Sequence, residues 1–276
     1  MRKKPASISD RVYPAAIIVG LVLLWQLLSV SGAVPEFMLP SPLQVLAAFK
    51  NSLPELMFHS RITLTEAFAG LGVSILLAFV LATAMDHFSW LYRAFFPLMV
   101  ISQTIPTVAI APLLVLWMGY GMLPKIALIV LVCFFPLAVA LLDSFRSSDP
   151  DLINLMRAMG AGPSQIFRHV KWPAAISGFF SGLKISVSYA IVGAVIAEWL
   201  GGNEGLGVYM IRVKRSYSFD KMFAVILLIM LISLLLIRLT VWLEYLATPW
   251  RRVRQEDDNN AGWDIADKPV VHKVKK

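Results

Sequence analysis

Apolar residues run along this chain in long stretches, divided by short polar ones. A membrane-crossing helix takes about 20 mostly apolar residues. Six stretches meet that requirement: residues 13–30, 62–85, 94–118, 123–142, 173–200 and 222–246. The pattern predicts an all-α membrane protein with six transmembrane helices. The first stretch has a basic start (Arg2, Lys3, Lys4) and ends at Ser31-Gly32-Ala33, as a signal peptide would. It is longer than the usual apolar core of about 7–15 residues and contains Trp25 and Gln26, which favours a retained anchor.

Residues 143–172 break the rhythm. They are polar and far longer than a helix–helix connection needs. Asp149 can cap a helix that opens on Pro150. Leu152, Leu155, Met156 and Met159 then recur at i, i+3, i+4 and i+7, and Gly160 and Gly162 stop the helix. Pro163 and Ser164 start a second short helix, which runs to Lys171, and Pro173 begins the fifth span. Such a segment either rests on lipid headgroups or docks into a partner protein.

Composition narrows the class. Hydrophobic residues make up 58% of the 276 positions and charged residues 15%, with mean hydropathy +0.72. Soluble domains carry about 25% charged residues. Soluble enzymes, disordered scaffolds and secreted disulfide domains are therefore excluded. Cys133 is the single cysteine, and the four histidines show no metal-ligand spacing. The net charge of +8 suits basic loops against anionic headgroups better than nucleic acid. With the N-terminus placed in the cytoplasm, 16 Lys and Arg fall inside and 7 outside, so both termini are expected to be cytoplasmic. The cluster Arg212, Lys214, Arg215 lies on the less basic side. The expected division is a cytoplasmic N-terminus (1–12), a membrane unit (13–246) and a polar, disordered tail (247–276).

No catalytic motif is present. A phosphate-binding G-x-x-x-x-G-K-[ST] and a zinc-binding H-E-x-x-H are both missing, and the glycines at 201–207 follow a membrane span instead of a strand. No cofactor or metal is expected. Features within the spans suggest a transport path. Pro97, Pro106 and Pro112 interrupt the third stretch, with Gln103 and Thr104 just before Pro106. These two could satisfy carbonyls freed by the proline or face a solute. Glu198, with Trp199 beside it, stands near the outer end of the fifth stretch. It is either a functional group or an interfacial carboxylate. Lys184 lies deeper, within reach of snorkelling. Small residues recur every fourth position at Gly178, Gly182, Ser186, Ala190 and Ala194, and at Gly70, Ser74, Ala78 and Ala82. Both rows read as seams of close helix packing, in the core or in a dimer interface.

The loop from Asn154 reads Asn154-Leu155-Met156, three residues, Gly160, nine residues, Val170-Lys171-Trp172-Pro173. Its spacing resembles the E-A-A-x3-G-x9-I-x-L-P loop of ABC-transporter permeases. Asn154-Leu155-Met156 stands where the family has Glu-Ala-Ala, Val170 for Ile and Trp172 for Leu. Leu39-Pro40-Ser41-Pro42, Gln103-Thr104-Ile105-Pro106, Leu116-Trp117-Met118-Gly119-Tyr120-Gly121 and Gly205-Leu206-Gly207 are similar to the nitrate/sulfonate/taurine-type importer permeases. Ala197-Glu198-Trp199-Leu200-Gly201-Gly202 and the segment 205–217 resemble permeases for thiamine-pyrimidine precursors.

The resemblance implies a type I importer permease fold and a second permease copy as homodimer partner. It also implies two ABC ATPase subunits beneath and an extracytoplasmic solute-binding protein above. The ATP would be hydrolysed in the partner chains, and this chain would be no enzyme. Asn154, Arg157, Gly160, Ala161 and Pro173 would couple to the ATPase. Gln103, Thr104, Pro106, Glu198 and Trp199 would border the solute path, with Trp199, Tyr209 and Tyr217 offering aromatic faces near the outer mouth or forming an interfacial belt. The expected solute is an aminopyrimidine-like thiamine precursor. Sulfonate, nitrate or taurine-like anions are the alternative. A self-sufficient channel or secondary transporter is the rival of another class.

Overall fold

The computed structural model describes residues 8–32, 34–35 and 37–249, with backbone alone at 8–11 and 14. The sequence readings on residues 1–7 and on the tail from 250 onward fall outside these residues.

All regular structure among the described residues is helical. In chain order the helices are α1 (Ile8–Val30), α2 (Pro42–Asn51), α3 (Leu53–His87), α4 (Ser89–Ser102), α5 (Thr107–Met118) and α6 (Met122–Arg146). They continue with α7 (Pro150–Ala158), α8 (Pro163–Ile166), α9 (Trp172–Gly201), α10 (Leu206–Arg215) and α11 (Phe219–Ala247). A π-turn (Phe167–Lys171) joins α8 to α9.

Four helical stretches are long and apolar enough to cross a membrane: α3, α6, α8–α9 and α11. A fifth crossing exists if α4 and α5 count as one span, and α1 offers a shorter apolar stretch, Ala15–Val30. The third predicted span is therefore not one straight helix. Its halves meet at 103° across residues 103–106, because Pro106 cannot supply the backbone N–H that would carry the helix through.

The fifth predicted span also begins earlier than Pro173. Residues Pro163–Gly201 form a continuous 39-residue helical run. Pro173 has no N–H to give the carbonyl four residues back. The wider π-turn just before it, with Trp172 N–H donating to the Phe167 carbonyl, lets the run continue.

The core is α6 packed between α3 and α9. Both small-residue rows belong to this contact. A Cβ added at Gly178 would strike Ser144 and the Ala140 carbonyl, one at Gly182 would strike the Pro136 carbonyl, and one at Gly70 would strike Ile129. Ser74, Ala78, Ala82, Ser186 and Ala194 are fully buried. Ser186 Oγ donates to the Cys133 carbonyl at 2.9 Å, and Cys133 Sγ donates back to the Ser186 carbonyl at 3.2 Å. The seams thus join helices within one chain.

The Leu39-Pro40-Ser41-Pro42 segment is a connection fixed by its own hydrogen bonds. Ser41 Oγ accepts from Gln44 N–H at 3.3 Å, and Gln44 Oε1 accepts from Ser41 N–H at 2.7 Å, a capping box with Pro42 in the first turn of α2. Trp25 Nε1 donates to the Pro40 carbonyl at 3.0 Å and Ser29 Oγ to that of Leu39 at 2.9 Å, which pins α2 against α1. Lys184, in α9, pairs with Glu244 of α11 at 2.5 Å.

Candidate functional site

The break between α4 and α5 opens a cavity of about 250 Å³ against α6 and α9. Gln103 and Thr107 border it from the break. Tyr189 borders it from α9, and Leu128, Val132 and Ile196 form apolar walls. Thr104 turns away, its hydroxyl donating to the Ile101 carbonyl at 2.8 Å. Pro106 stands just outside the first turn of α5, in extended conformation. Of the five residues expected on the solute path, Gln103 lines this cavity. Thr104 and Pro106 shape the break beside it.

Glu198 and Trp199 lie elsewhere. Glu198 is 1% exposed and sits where α10 begins. Three consecutive N–H groups at that start are received by side chains of α3 and α9. Gly205 N–H donates to His59 Nδ1 at 3.1 Å, Leu206 N–H to Thr63 Oγ1 at 2.9 Å and Gly207 N–H to Glu198 Oε2 at 2.5 Å. Thr63 Oγ1 donates to Glu198 Oε1 at 2.6 Å. A carboxylate at a helix N-terminus meets its orphan donors and its positive dipole end together.

His59 and Thr63 stand one helical turn apart on one face of α3. Glu66 follows on the same face and pairs with Lys125 of α6 at 2.5 Å, both side chains buried. The sequence reading missed this cluster because its members are up to 146 positions apart. The pattern Thr63-x-x-Glu66 inside an apolar span was the available signal. Tyr209 stacks on His59 at 5.1 Å and donates from its hydroxyl to Glu55 at 2.9 Å. Burial holds its phenol above the ordinary range, so it stays a donor. Tyr209 is thus spent in packing, whereas Trp199 and Tyr217 are exposed.

The loop helix α7 is laid out as its residues dictate. Asp149 caps it through Asp151 N–H at 2.9 Å, and Pro150 opens its first turn. It ends in a Schellman turn. Gly160 N–H donates to the Arg157 carbonyl and Ala161 N–H to that of Met156, both at 2.9 Å, with Gly160 at φ +83°. Leu152, Leu155 and Met159 are exposed, and no residue of α7 is buried. The helix therefore presents apolar side chains that no described residue covers. Asn154 is exposed on α7. Arg157 and Ala161 line a second cavity of about 800 Å³ between this loop and the end of α3, where Lys171 pairs with Asp86 at 2.6 Å. Pro173 lies beyond the loop, inside the long helical run.

Residues 70–247 match the family of binding-protein-dependent transport system inner membrane components. A probable ABC transporter permease protein of Haemophilus influenzae is 38% identical over 84% of this chain and 96% of its own length. The formylaminopyrimidine transport permease protein ThiX of Halalkalibacterium halodurans is 35% identical over 87% of this chain and 96% of its own. A putative aliphatic sulfonates transport permease protein, SsuC of Bacillus subtilis, is 30% identical over 91% and 92%. In fold, the chain resembles the inward-facing MetNI methionine ABC transporter, with TM-score 0.58 and 20% identity over 71% of this chain and 95% of that one.

Proposed function

The chain belongs to the family of binding-protein-dependent transport inner membrane components, and from that premise we propose that it forms the membrane path of an ATP-driven importer for an aminopyrimidine-like solute. The observation that carries this reading is the cavity at the α4–α5 break. Backbone may leave helical geometry at membrane depth where it borders a cavity or protein, and this break does so with polar side chains at its edge.

In this reading α1, the bent α4–α5 pair and the four long helices supply six spans, with both termini cytoplasmic and residues 247–276 as a cytoplasmic tail. Two copies of the chain enclose one path. Two ATPase subunits meet Asn154, Arg157, Gly160 and Ala161 on residues 143–172, and a solute-binding protein delivers from the other face. ATP binding closes the ATPase pair, and α7 carries that movement into a switch between inward- and outward-facing states. The exposed apolar side chains of α7, which no described residue buries, support the docking role.

The relation to ThiX supports the pyrimidine solute, and the relation to SsuC keeps aliphatic sulfonates as the second reading. A self-sufficient ion-driven transporter would need ionisable groups free to bind its ion. Here Glu66 pairs with Lys125 and Lys184 with Glu244, which weighs against that class. The test is to purify the tagged chain from its own cells and measure the co-purifying ATPase. Cells with the whole transporter are then assayed for ATP-dependent uptake of formylaminopyrimidine and of an alkanesulfonate. Uptake without any ATPase partner, or of the sulfonate alone, would refute the proposal.

A further inference from the structure

We infer that the cavity at the α4–α5 break selects the solute, and that it takes an uncharged planar ring carrying an amino group beside a ring nitrogen, read by the Gln103 amide and stacked on Tyr189. This rests on the transport reading above. It adds the site, the residues and the reason that an anion is refused.

Size is the first ground. Pockets for drug-sized molecules measure about 300–1,000 Å³, so about 250 Å³ suits a single substituted ring. Hydrogen-bonding capacity is the second. Several hydroxyls of the long helices are used up on the protein itself. Ser74 donates to Gly70, Ser144 to Ala140, Ser186 to Cys133 and Thr240 to Leu236. The side chains of Gln103, Thr107 and Tyr189 make no such bond among the described residues, yet all three border one cavity. Polar groups in an apolar bundle that are not satisfied by their own chain are available to a ligand.

Charge is the third ground. Among the described residues the cavity is lined by no Lys, Arg or His. A sulfonate entering it would give up part of its water and gain no cation, and an unpaired charge taken out of water is costly. A neutral ring gives up far less. Geometry then specifies the ring's edge. A glutamine amide presents an acceptor and a donor side by side, and it pairs with a ring nitrogen and an adjacent amino group, as glutamine does with the corresponding edge of adenine. Tyr189 adds an aromatic face, and its hydroxyl and that of Thr107 can bond further ring substituents.

Uptake is measured in cells carrying the intact transporter, with radiolabelled formylaminopyrimidine and with the same pyrimidine bearing hydrogen in place of the amino group. Wild type should prefer the amino compound by about tenfold, the worth of one well-placed hydrogen bond. Gln103→Leu should raise the half-saturating concentration of the amino compound and abolish the preference, while the amount of co-purified ATPase stays constant. Tyr189→Phe should keep most of the uptake and Tyr189→Leu should lose it. A structural role for Gln103 would change assembly or rate without changing the preference between the two rings. An undiminished preference in Gln103→Leu, with wild type transporting the amino compound, would overturn the cavity assignment alone. Wild-type cells that take up no aminopyrimidine would overturn this inference together with the solute reading on which it rests.

Discussion

Glu198 shows how far one side chain can differ from its position in the sequence. Near the end of an apolar run it reads as a group facing the membrane boundary. In the fold it closes the N-terminus of α10, accepting from Thr63 and Gly207 while 1% exposed. Glu198→Ala would leave the Gly207 N–H without its acceptor, at about 1–3 kcal/mol, while Thr63 keeps the His59 carbonyl at 3.2 Å. We expect a lower melting temperature of the purified complex, with a smaller loss for Glu198→Gln, which keeps one acceptor. Equal melting temperatures for wild type and Glu198→Ala would contradict the clamp. Gly205 tests the same place from the other side. Its φ of +123° excludes most side chains, and an added Cβ would strike the Glu198 carboxylate. Gly205→Ala should therefore destabilise at least as much as Glu198→Ala, read by the same thermal melt.

At the scale of elements, α7 and α9 differ in what holds them. α7 is kept in shape by its own ends, Asp149 and Gly160, and buries nothing. Among the described residues nothing lies within 4 Å of a Cβ placed on Gly160, so substitution there costs backbone strain without a clash against them. A β-branched residue at φ +83° should cost about 1–3 kcal/mol. Gly160→Val should leave the protein inserted in the membrane and reduce both the co-purified ATPase and uptake. Normal values in the two assays would remove the docking role. α9 depends on its neighbours instead. Gly178 lets α9 touch the backbone of α6, and Gly178→Leu would force the core helices apart. The expected result is loss of folded protein on size-exclusion chromatography in detergent. The Lys184–Glu244 pair joins α9 to α11 with side chains 32% and 15% exposed. After screening it should contribute modestly, so reversal of both charges together should restore what either reversal alone removes.

For the whole molecule, the apolar surface is explained only by its surroundings. Ile17, Leu76, Leu98 and Leu235 are each more than half exposed on helices of high hydropathy. Water would not tolerate so much apolar surface, whereas lipid does. The proposed orientation, with both termini cytoplasmic, rests on the charge imbalance and can be read directly. A cysteine introduced at Asn203, in the Cys133→Ala background, should react with an impermeant thiol reagent in intact cells. One at Gly262 should react only after the membrane is opened. The reverse pattern would invert the topology.

Membrane residence, helical class, five of the six apolar stretches as continuous helices and both caps of α7 were legible in the residues. The physical reason is locality. Apolar run length, Asp149 before Pro150 and Gly160 at the end of a stripe all act within a turn or two of themselves. The spacing of the loop likewise matched the family to which the chain belongs. Tertiary structure alone decided that the third stretch bends by 103°, since a proline can kink a helix or break it and neighbouring helices determine which. It also decided that the small-residue rows face α6 within the same chain, and that Lys125 is buried against Glu66. Gln103 and Tyr189, 86 positions apart, meet across one cavity, while Gln103 and Glu198 do not. Such contacts depend on how separate helices pack, and periodicity along one helix carries no record of its partner.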